Sequence, residues 1–540
     1  MSAMVFSLGL ANLYTSLNIA LLITLPFISW LTPGFRPQSF FKNLGQHIKT
    51  QKWLIICLGI YAFVTWSRTL SPTYFIDTCK YHFPICTTYL EAGGFIYLPD
   101  TYVFEAATSF FPESFYLICL ALLDDFCAQT FMWAIGILVL IRLHFLLKLL
   151  IPQQSTLLPI LFLAGNMIFT SNIIYSKTDP LLIYFILELL YLTLHPKRLT
   201  TNLSFGILFG FTFILKYNLV LCLPPMLFWI FYNNRKNYKQ QLVALLPGLI
   251  FALLWLIKNH LTHGILLFPF ILNNPELPDI LLSGFKLEAE YSYGHKVKEC
   301  LLALFGINAS TRFTPGLFMW IVCLSLPFCR LWNKKYFFLT LGFSLAFWLI
   351  NVYILPQYVT STRITFPIWC LGCLILAKAL ENRGVLVTSI AGLLILGQCV
   401  STLKYVVSYL PGKNYHLGKE SLGQAYTSMN NDFARLGFDL KNMDRENKVA
   451  VYSEYGHLCR HPNKVMIYWS SQYDREKWDF VDFKDKLIND QIDYLLYDKR
   501  LKENRRPFSA WVPLAVNQKF IKLEKETANA QLFSIFRDPE

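Results

Sequence analysis

The chain has 540 residues and a formal net charge of +14, yet only 15% of its residues are charged, while 54% are hydrophobic and 16% aromatic. So much apolar side chain against so little charge excludes an ordinary water-soluble globular protein and makes lipid the solvent for much of the molecule. The excess of positive charge does not indicate nucleic-acid binding, because the basic residues collect in short loops between apolar runs and form no basic face.

A helix that crosses a bilayer needs roughly 20 mostly apolar residues. Taken in chain order, such runs are Val5 to Trp30, Trp53 to Leu70, Phe126 to Leu147, Leu157 to Ile174, Leu181 to Leu194, Leu203 to Leu215, Tyr217 to Tyr232, Leu242 to Ile257, Leu317 to Phe328, Tyr336 to Leu355, Ile364 to Ala379 and Val385 to Leu403. The expectation is a polytopic α-helical membrane protein with about twelve transmembrane helices. Val5 to Trp30 is too long and too weakly basic at its start for a cleaved signal peptide and reads as a retained helix. Lys216, Tyr217 and Asn218 divide what would otherwise be one long run at Leu203 to Tyr232.

Alternate loops carry the Lys and Arg: Arg36 to Lys52, Arg142 and Lys148, Lys197 and Arg198, Arg235 to Lys239, Arg330 to Lys335, and Lys378 and Arg383. The positive-inside rule makes these cytoplasmic and leaves both termini outside, in the periplasm of a bacterial inner-membrane protein. The opposite loops, residues 71–125 and 259–315, are longer, and long loops commonly carry function. Within the first, Ser114 to Leu123 is too short to span and reads as a helix lying along the interface.

Beyond residue 404 the composition turns soluble. The organisation expected is a transmembrane module over residues 1–404 and a periplasmic α/β domain over 405–540. The latter has a helix at Ser421 to Leu440, strand-like runs at Lys448 to Tyr452 and Val465 to Trp469, a charged helix around Phe483 to Ile488, and a strand at Ile492 to Tyr497. Of the 13 cysteines, Cys79 and Cys86 lie close enough in sequence for a disulfide to be open. His457, Cys459 and His461 would form a metal cluster only if strand spacing is assumed.

Ionisable residues near a bilayer are costly and informative. In this topology Asp77, Lys80, His82, Lys177, Asp179, Lys216, Lys258 and Arg363 gather at the outer face. Carboxylates beside several cations suit a reaction on a lipid-linked phosphate: a carboxylate takes a proton from an acceptor hydroxyl, and cations hold the phosphate as charge develops on it. There is no glycine-rich phosphate loop for a nucleotide. Each residue also has a structural reading: Asp77 as a helix cap, His82 as a packed histidine, Asp179 as a helix N-terminal residue before Pro180, and the cations as interfacial side chains contacting headgroups.

The run Asp77-Thr78-Cys79-Lys80-Tyr81-His82-Phe83-Pro84, followed by Tyr89-Leu90-Glu91-Ala92-Gly93, resembles the first-loop signature of bacterial relatives of the protein O-mannosyltransferases, within the type C glycosyltransferase superfold that also holds the lipid A aminoarabinose transferases. Further matches follow in order: Phe111-Pro112-Glu113-Ser114, Lys177-Thr178-Asp179, Leu215-Lys216-Tyr217, Trp255-Leu256-Ile257-Lys258-Asn259, His263-Gly264, Phe268-Pro269-Phe270, and Arg363 with Pro367. The resemblance covers about Trp53 to Ala379. It implies an inverting transfer of a sugar from a polyprenyl-phosphate donor to an envelope acceptor, a glycan, a lipid or a protein. Asp77 would be the catalytic carboxylate, as base or orienting group, with Tyr81, His82 and Asp179 supporting it, and Lys80, Lys216, Lys258 and Arg363 would hold the donor phosphate. No cofactor is required; some members of the superfold use a divalent ion, for which Asp77, His82 and Asp179 would be the ligands, although their spacing does not argue for one. The chain departs from the family in the helix upstream of Trp53 and in having Lys258 where relatives often have Arg, which costs bidentate geometry but not charge. A transporter or flippase of a lipid-linked solute and a non-catalytic envelope assembly protein are the alternatives from other classes.

Overall fold

The structure is a computed structural model, and it describes residues 51–70, 78–96, 111–123, 125–152, 155–194, 206–210, 238–263, 366–381, 383–408, 432–453, 464–466, 480–499 and 508–536, with short pieces around 8–19 and at 458–459. The spans expected at Tyr217 to Tyr232, Leu317 to Phe328 and Tyr336 to Leu355 lie outside the described residues.

The helical part contains α1 (Lys52–Thr69), a π turn (Thr78–His82), α2 (Phe83–Glu91), α3 (Phe111–Leu122), α4 (Asp125–Leu150), α5 (Leu157–Ala164), α6 (Met167–Ile174), α7 (Asp179–Leu194), α8 (Tyr238–His263), α9 (Phe366–Leu380) and α10 (Val385–Ser408). Among the described residues, α4 and the Val385–Val407 stretch of α10 are long and apolar enough to cross a membrane, and α5 with α6 forms an apolar pair bent by 64°, the geometry of a broken span or a re-entrant loop. α10 turns Val385, Leu386, Leu393 and Leu396 outward, a surface that lipid accepts and water does not.

The run Leu157 to Ile174, expected as one helix, is therefore broken at Gly165 and Asn166. A break inside a bilayer leaves backbone groups that must find partners, and here neighbouring side chains supply them. Asn166 Oδ1 accepts from the amides of Ile168 (3.0 Å) and Phe169 (3.2 Å), and the Thr170 hydroxyl donates to the Ala164 carbonyl at 2.8 Å. Thr402 of α10 donates to the Gly165 carbonyl at 2.5 Å. α10 can approach this closely because residue 165 lacks a side chain: a Cβ there would meet Cys399 Sγ at 2.7 Å.

α8 shows why its residues divide into two faces. Val243, Leu246, Ile250, Leu253, Ile257 and Leu261 are exposed at helical spacing, whereas Gly248, Ala252, Trp255, Lys258, Asn259 and Thr262 form the buried stripe. At its start Gly248 lies backbone against backbone with Gly206 and Gly210, and a Cβ at residue 248 or 210 would collide with main-chain atoms of the other helix. Small residues three to four apart are the usual means by which membrane helices approach this closely. Gly248→Leu is expected to cost about 1–3 kcal/mol and lower the apparent thermal midpoint in detergent. Gly397→Leu, where nothing lies within 4 Å of the added carbon, should leave the midpoint unchanged; equal midpoints for the two variants would contradict the close crossing.

Residues 432–536 contain α11 (Asp432–Asp439), β1 (Val449–Tyr452), β2 (Lys464–Met466), α12 (Phe480–Asn489), β3 (Tyr494–Asp498), α13 (Phe508–Asn517), β4 (Ile521–Glu526) and β5 (Ala530–Ile535). The strands make one five-stranded sheet in the order β2-β1-β3-β5-β4, with β1 parallel to both β2 and β3, and β5 antiparallel to β3 and β4. Strands β1 and β3 are buried almost throughout, as expected of the middle of a parallel set.

Candidate active site

Several helix ends converge at one end of the bundle, and they bring buried ionisable groups with them. α1 delivers Arg68, the π turn delivers His82, α3 delivers Glu113, the link from α6 to α7 delivers Lys177 and Asp179, and α8 delivers Lys258; every one of these side chains is at most 3% exposed. The end of α10 reaches the same place, since the hydroxyls of Tyr175 and Tyr405 lie 2.8 Å apart. Burying charge costs several kcal/mol per group unless partners compensate, so such a gathering calls for a reason.

The π turn Thr78–His82 runs directly into α2, which carries Pro84 in its first turn. Single π turns commonly mark functional positions. His82 Nδ1 lies 2.6 Å from Glu113 Oε1, with both side chains buried. Tyr81 and Tyr116 flank the imidazole, with ring centroids 4.3 Å and 5.8 Å away. The second carboxylate oxygen of Glu113 makes no hydrogen bond among the described residues, but the Glu113 charge acts on Lys258. The Lys258 ammonium reaches Asn259 Oδ1 at 3.4 Å and stands 6.0 Å from the Tyr89 ring and 5.8 Å from the Phe95 ring, distances at which an aromatic face attracts a cation.

The α6–α7 link is clamped from the same side. Thr78 donates to the Tyr175 carbonyl at 2.9 Å, and the Tyr116 hydroxyl donates to the Ser176 carbonyl. Ser176 holds φ at 54°, a left-handed conformation that costs a non-glycine residue about 1 kcal/mol or more; the two clamps fix it, and with it the direction in which Lys177 and Asp179 leave the turn. Asp179 opens α7, where a carboxylate also meets the positive end of the helix. The Arg68 guanidinium lies 5.4 Å from the Tyr175 ring centroid.

Burial, reinforced by the Glu113 charge, pushes the Cys86 thiol and the Tyr116 phenol well up, so both act as neutral donors. Cys86 donates to the Glu113 carbonyl at 3.3 Å. Cys79 and Cys86 are free thiols, so the disulfide left open in the sequence is not formed.

Of the residues singled out in the sequence, His82, Tyr81, Asp179 and Lys258 are brought to this one end. Asp77, Lys216 and Arg363, and the side chain of Lys80, lie outside the described residues; Thr78, next to Asp77 in sequence, is buried against the α6–α7 link. Lys258 is on the buried stripe of α8, not on its lipid face. Among the described residues no group of three His, Cys, Asp or Glu side chains is placed to hold a metal ion. His457 and His461 lie outside the described residues, and Cys459 is buried.

Two residues at this end were not assigned from the sequence. Glu113 stands within a quoted motif but looks like an acidic residue in the first turn of a helix, which needs no further role. Arg68 is the only charged residue in the run Trp53 to Leu70, and an ionisable residue inside an apolar span is itself a signal for a site.

Solved structures with the same fold include ArnT from Cupriavidus metallidurans bound to undecaprenyl phosphate, at a TM-score of 0.56 and 11% identity over 90% of this chain and 98% of that one. The same protein in its apo state aligns at a TM-score of 0.52 and 11% identity, over 91% and 99% of the two chains. The chain has the ArnT fold. The shared fold extends over nearly the whole of both chains. At 11% identity the likeness is one of architecture. Neither protein-family models nor curated proteins give a match to the sequence, so within the ArnT fold the site must be read from its own residues.

Proposed function

We propose that this protein is an inverting glycosyltransferase that moves a sugar from a polyprenyl-phosphate donor to an envelope acceptor at the periplasmic face of the bacterial inner membrane. The observation that carries the reading is the placement of Lys258, buried on the inner stripe of α8 against the Tyr89 and Phe95 rings and within reach of the Glu113 charge, at the end of an ArnT-type bundle where several helix termini meet. One of the ArnT structures holds undecaprenyl phosphate, the type of lipid product such a reaction would release. The Lys and Arg excess in the opposite loops supports a periplasmic position for this end.

In this reading the acceptor hydroxyl oxygen attacks the anomeric carbon from the face opposite the phosphate. The bond from that carbon to the phosphate oxygen breaks, and the polyprenyl phosphate departs with the electron pair. Lys258, with Lys80, Lys216 and Arg363, stabilises the charge that grows on the leaving phosphate, which is where fixed cations act most strongly. Asp77 holds the acceptor hydroxyl in line, Tyr81 and Asp179 shape the surrounding site, and no cofactor takes part in the displacement. The acceptor is a glycan, lipid or protein of the envelope, and residues 405–540 stand on its side of the membrane.

Binding of the lipid product tests the reading. Protein in nanodiscs is expected to bind undecaprenyl phosphate and to bind undecaprenol, which lacks the phosphate, at least tenfold more weakly. Equal binding of the two lipids would remove the phosphate site, and with it the donor class.

A further inference from the structure

We infer that His82 and Glu113 form a proton-accepting dyad, in which His82 Nε2 takes the proton of the acceptor hydroxyl and Glu113 is the positioning carboxylate that fixes the imidazole. This rests on the transfer reaction proposed above and names the group that reaction leaves open, the destination of the proton.

The geometry assigns the roles. Nδ1 of His82 is committed to Glu113 Oε1 at 2.6 Å, and a carboxylate accepts, so Nδ1 carries the hydrogen and Nε2 carries the lone pair. The Tyr81 and Tyr116 rings pack against the imidazole, with centroids 4.3 Å and 5.8 Å away, and crowd its rotation away from the carboxylate. When Nε2 takes the proton, the imidazolium finds the carboxylate already bonded to its other nitrogen. A carboxylate that holds a histidine in one tautomer and stabilises the imidazolium is the established logic of a base dyad. In the transfer step the acceptor O–H bond breaks as the bond from that oxygen to the anomeric carbon forms; the proton passes to Nε2 and the polyprenyl phosphate takes the electron pair, so no further reactant is required. A purely structural His–Glu pair would be content with any hydrogen-bonding replacement, and this separates the two readings.

The experiment compares native protein, Glu113→Gln, Glu113→Asp and His82→Ala in nanodiscs, using radiolabelled undecaprenyl-phosphate sugars and envelope lipid extract, with rates normalised to folded protein by size exclusion. The dyad predicts that Glu113→Gln lowers kcat at least 100-fold while the donor KM stays within about threefold. It also predicts that Glu113→Asp recovers part of the loss and that added imidazole restores turnover to His82→Ala in a saturable way. Native-like kcat in Glu113→Gln, or in His82→Ala without imidazole, would overturn the dyad and leave the transferase reading standing. Absence of transfer by native protein from every donor tried would overturn both. Should Glu113→Gln fail to accumulate, Glu113→Asp and imidazole rescue of His82→Ala carry the same decision.

Discussion

Replacing Lys258 by methionine is expected to lower sugar transfer by about 100- to 1000-fold, the scale lost when one fixed donor to developing negative charge is removed from an active site. The size of the effect follows from where the side chain lies. An interfacial lysine that reaches out to headgroups would lose little on replacement by an apolar chain of the same length. Lys258 instead belongs to the buried stripe Gly248, Ala252, Trp255, Lys258 and Thr262 of α8, with Ile257 and Leu261 turned outward beside it. Its ammonium lies near the Tyr89 and Phe95 rings and Asn259, where the low dielectric makes its charge count for more than in water. Lys258→Arg, which keeps the charge, should retain most of the phosphate affinity. The check is kcat and donor KM for the three proteins alongside binding of undecaprenyl phosphate; wild-type kinetics in Lys258→Met would place the phosphate elsewhere.

Asp77→Asn should lower transfer by about 100-fold, the scale lost when a reacting group is no longer held in line, without weakening the binding of undecaprenyl phosphate. The substitution preserves size and a hydrogen-bonding oxygen and removes only the charge, so a helix-capping role for Asp77 would survive it nearly intact, Asn being as good a cap as Asp. A role facing the acceptor hydroxyl would not. Equal expression, an unchanged thermal midpoint and lost transfer identify the second role; retained transfer would leave Asp77 a structural residue and shift attention to Asp179, which opens α7 at the same end of the bundle.

Apolar periodicity is readable because it is repeated many times along a helix. The run Phe126 to Leu147 is helix Asp125–Leu150, and Val385 to Leu403 is Val385–Ser408. The short helix expected at Ser114 to Leu123 is α3, Phe111–Leu122, and the strand-like runs at Lys448 to Tyr452 and Ile492 to Tyr497 are β1 and β3. The break in Leu157 to Ile174 was illegible, because Gly165 and Asn166 are two neutral residues in an apolar run and what stabilises the bend comes from Thr402, over two hundred positions away. Strands β4 and β5 were also missed. β4 reads Ile-Lys-Leu-Glu-Lys-Glu and is exposed beyond its first residue, so it has the composition of a solvated loop and is held in the sheet by its pairing with β5. Helix α13 carries Pro513 in its interior, which argues against a helix in any local reading.

The site divides in the same way. A buried cation such as Lys258 stands out against an apolar background, and the order of the motifs from Asp77 to Arg363 suffices to name a fold that the ArnT structures share. The bond from His82 to Glu113 does not stand out. It joins residues 31 positions apart, and only the folding of α3 back onto α2 brings them together. The strain at Ser176 is likewise a tertiary effect, imposed by Thr78 and Tyr116 on the backbone of the α6–α7 link.

Movement of a radiolabelled sugar decides whether the proposed transfer from a lipid phosphate takes place. Membranes containing the native protein are incubated with a panel of radiolabelled polyprenyl-phosphate sugars and envelope fractions, beside membranes containing Asp77→Asn at equal expression. Label is expected to move from one donor into an envelope fraction with the native protein and not with the variant. No transfer from any donor, with labelled lipid instead crossing the bilayer of native proteoliposomes, would contradict the proposed transfer and make the protein a transporter.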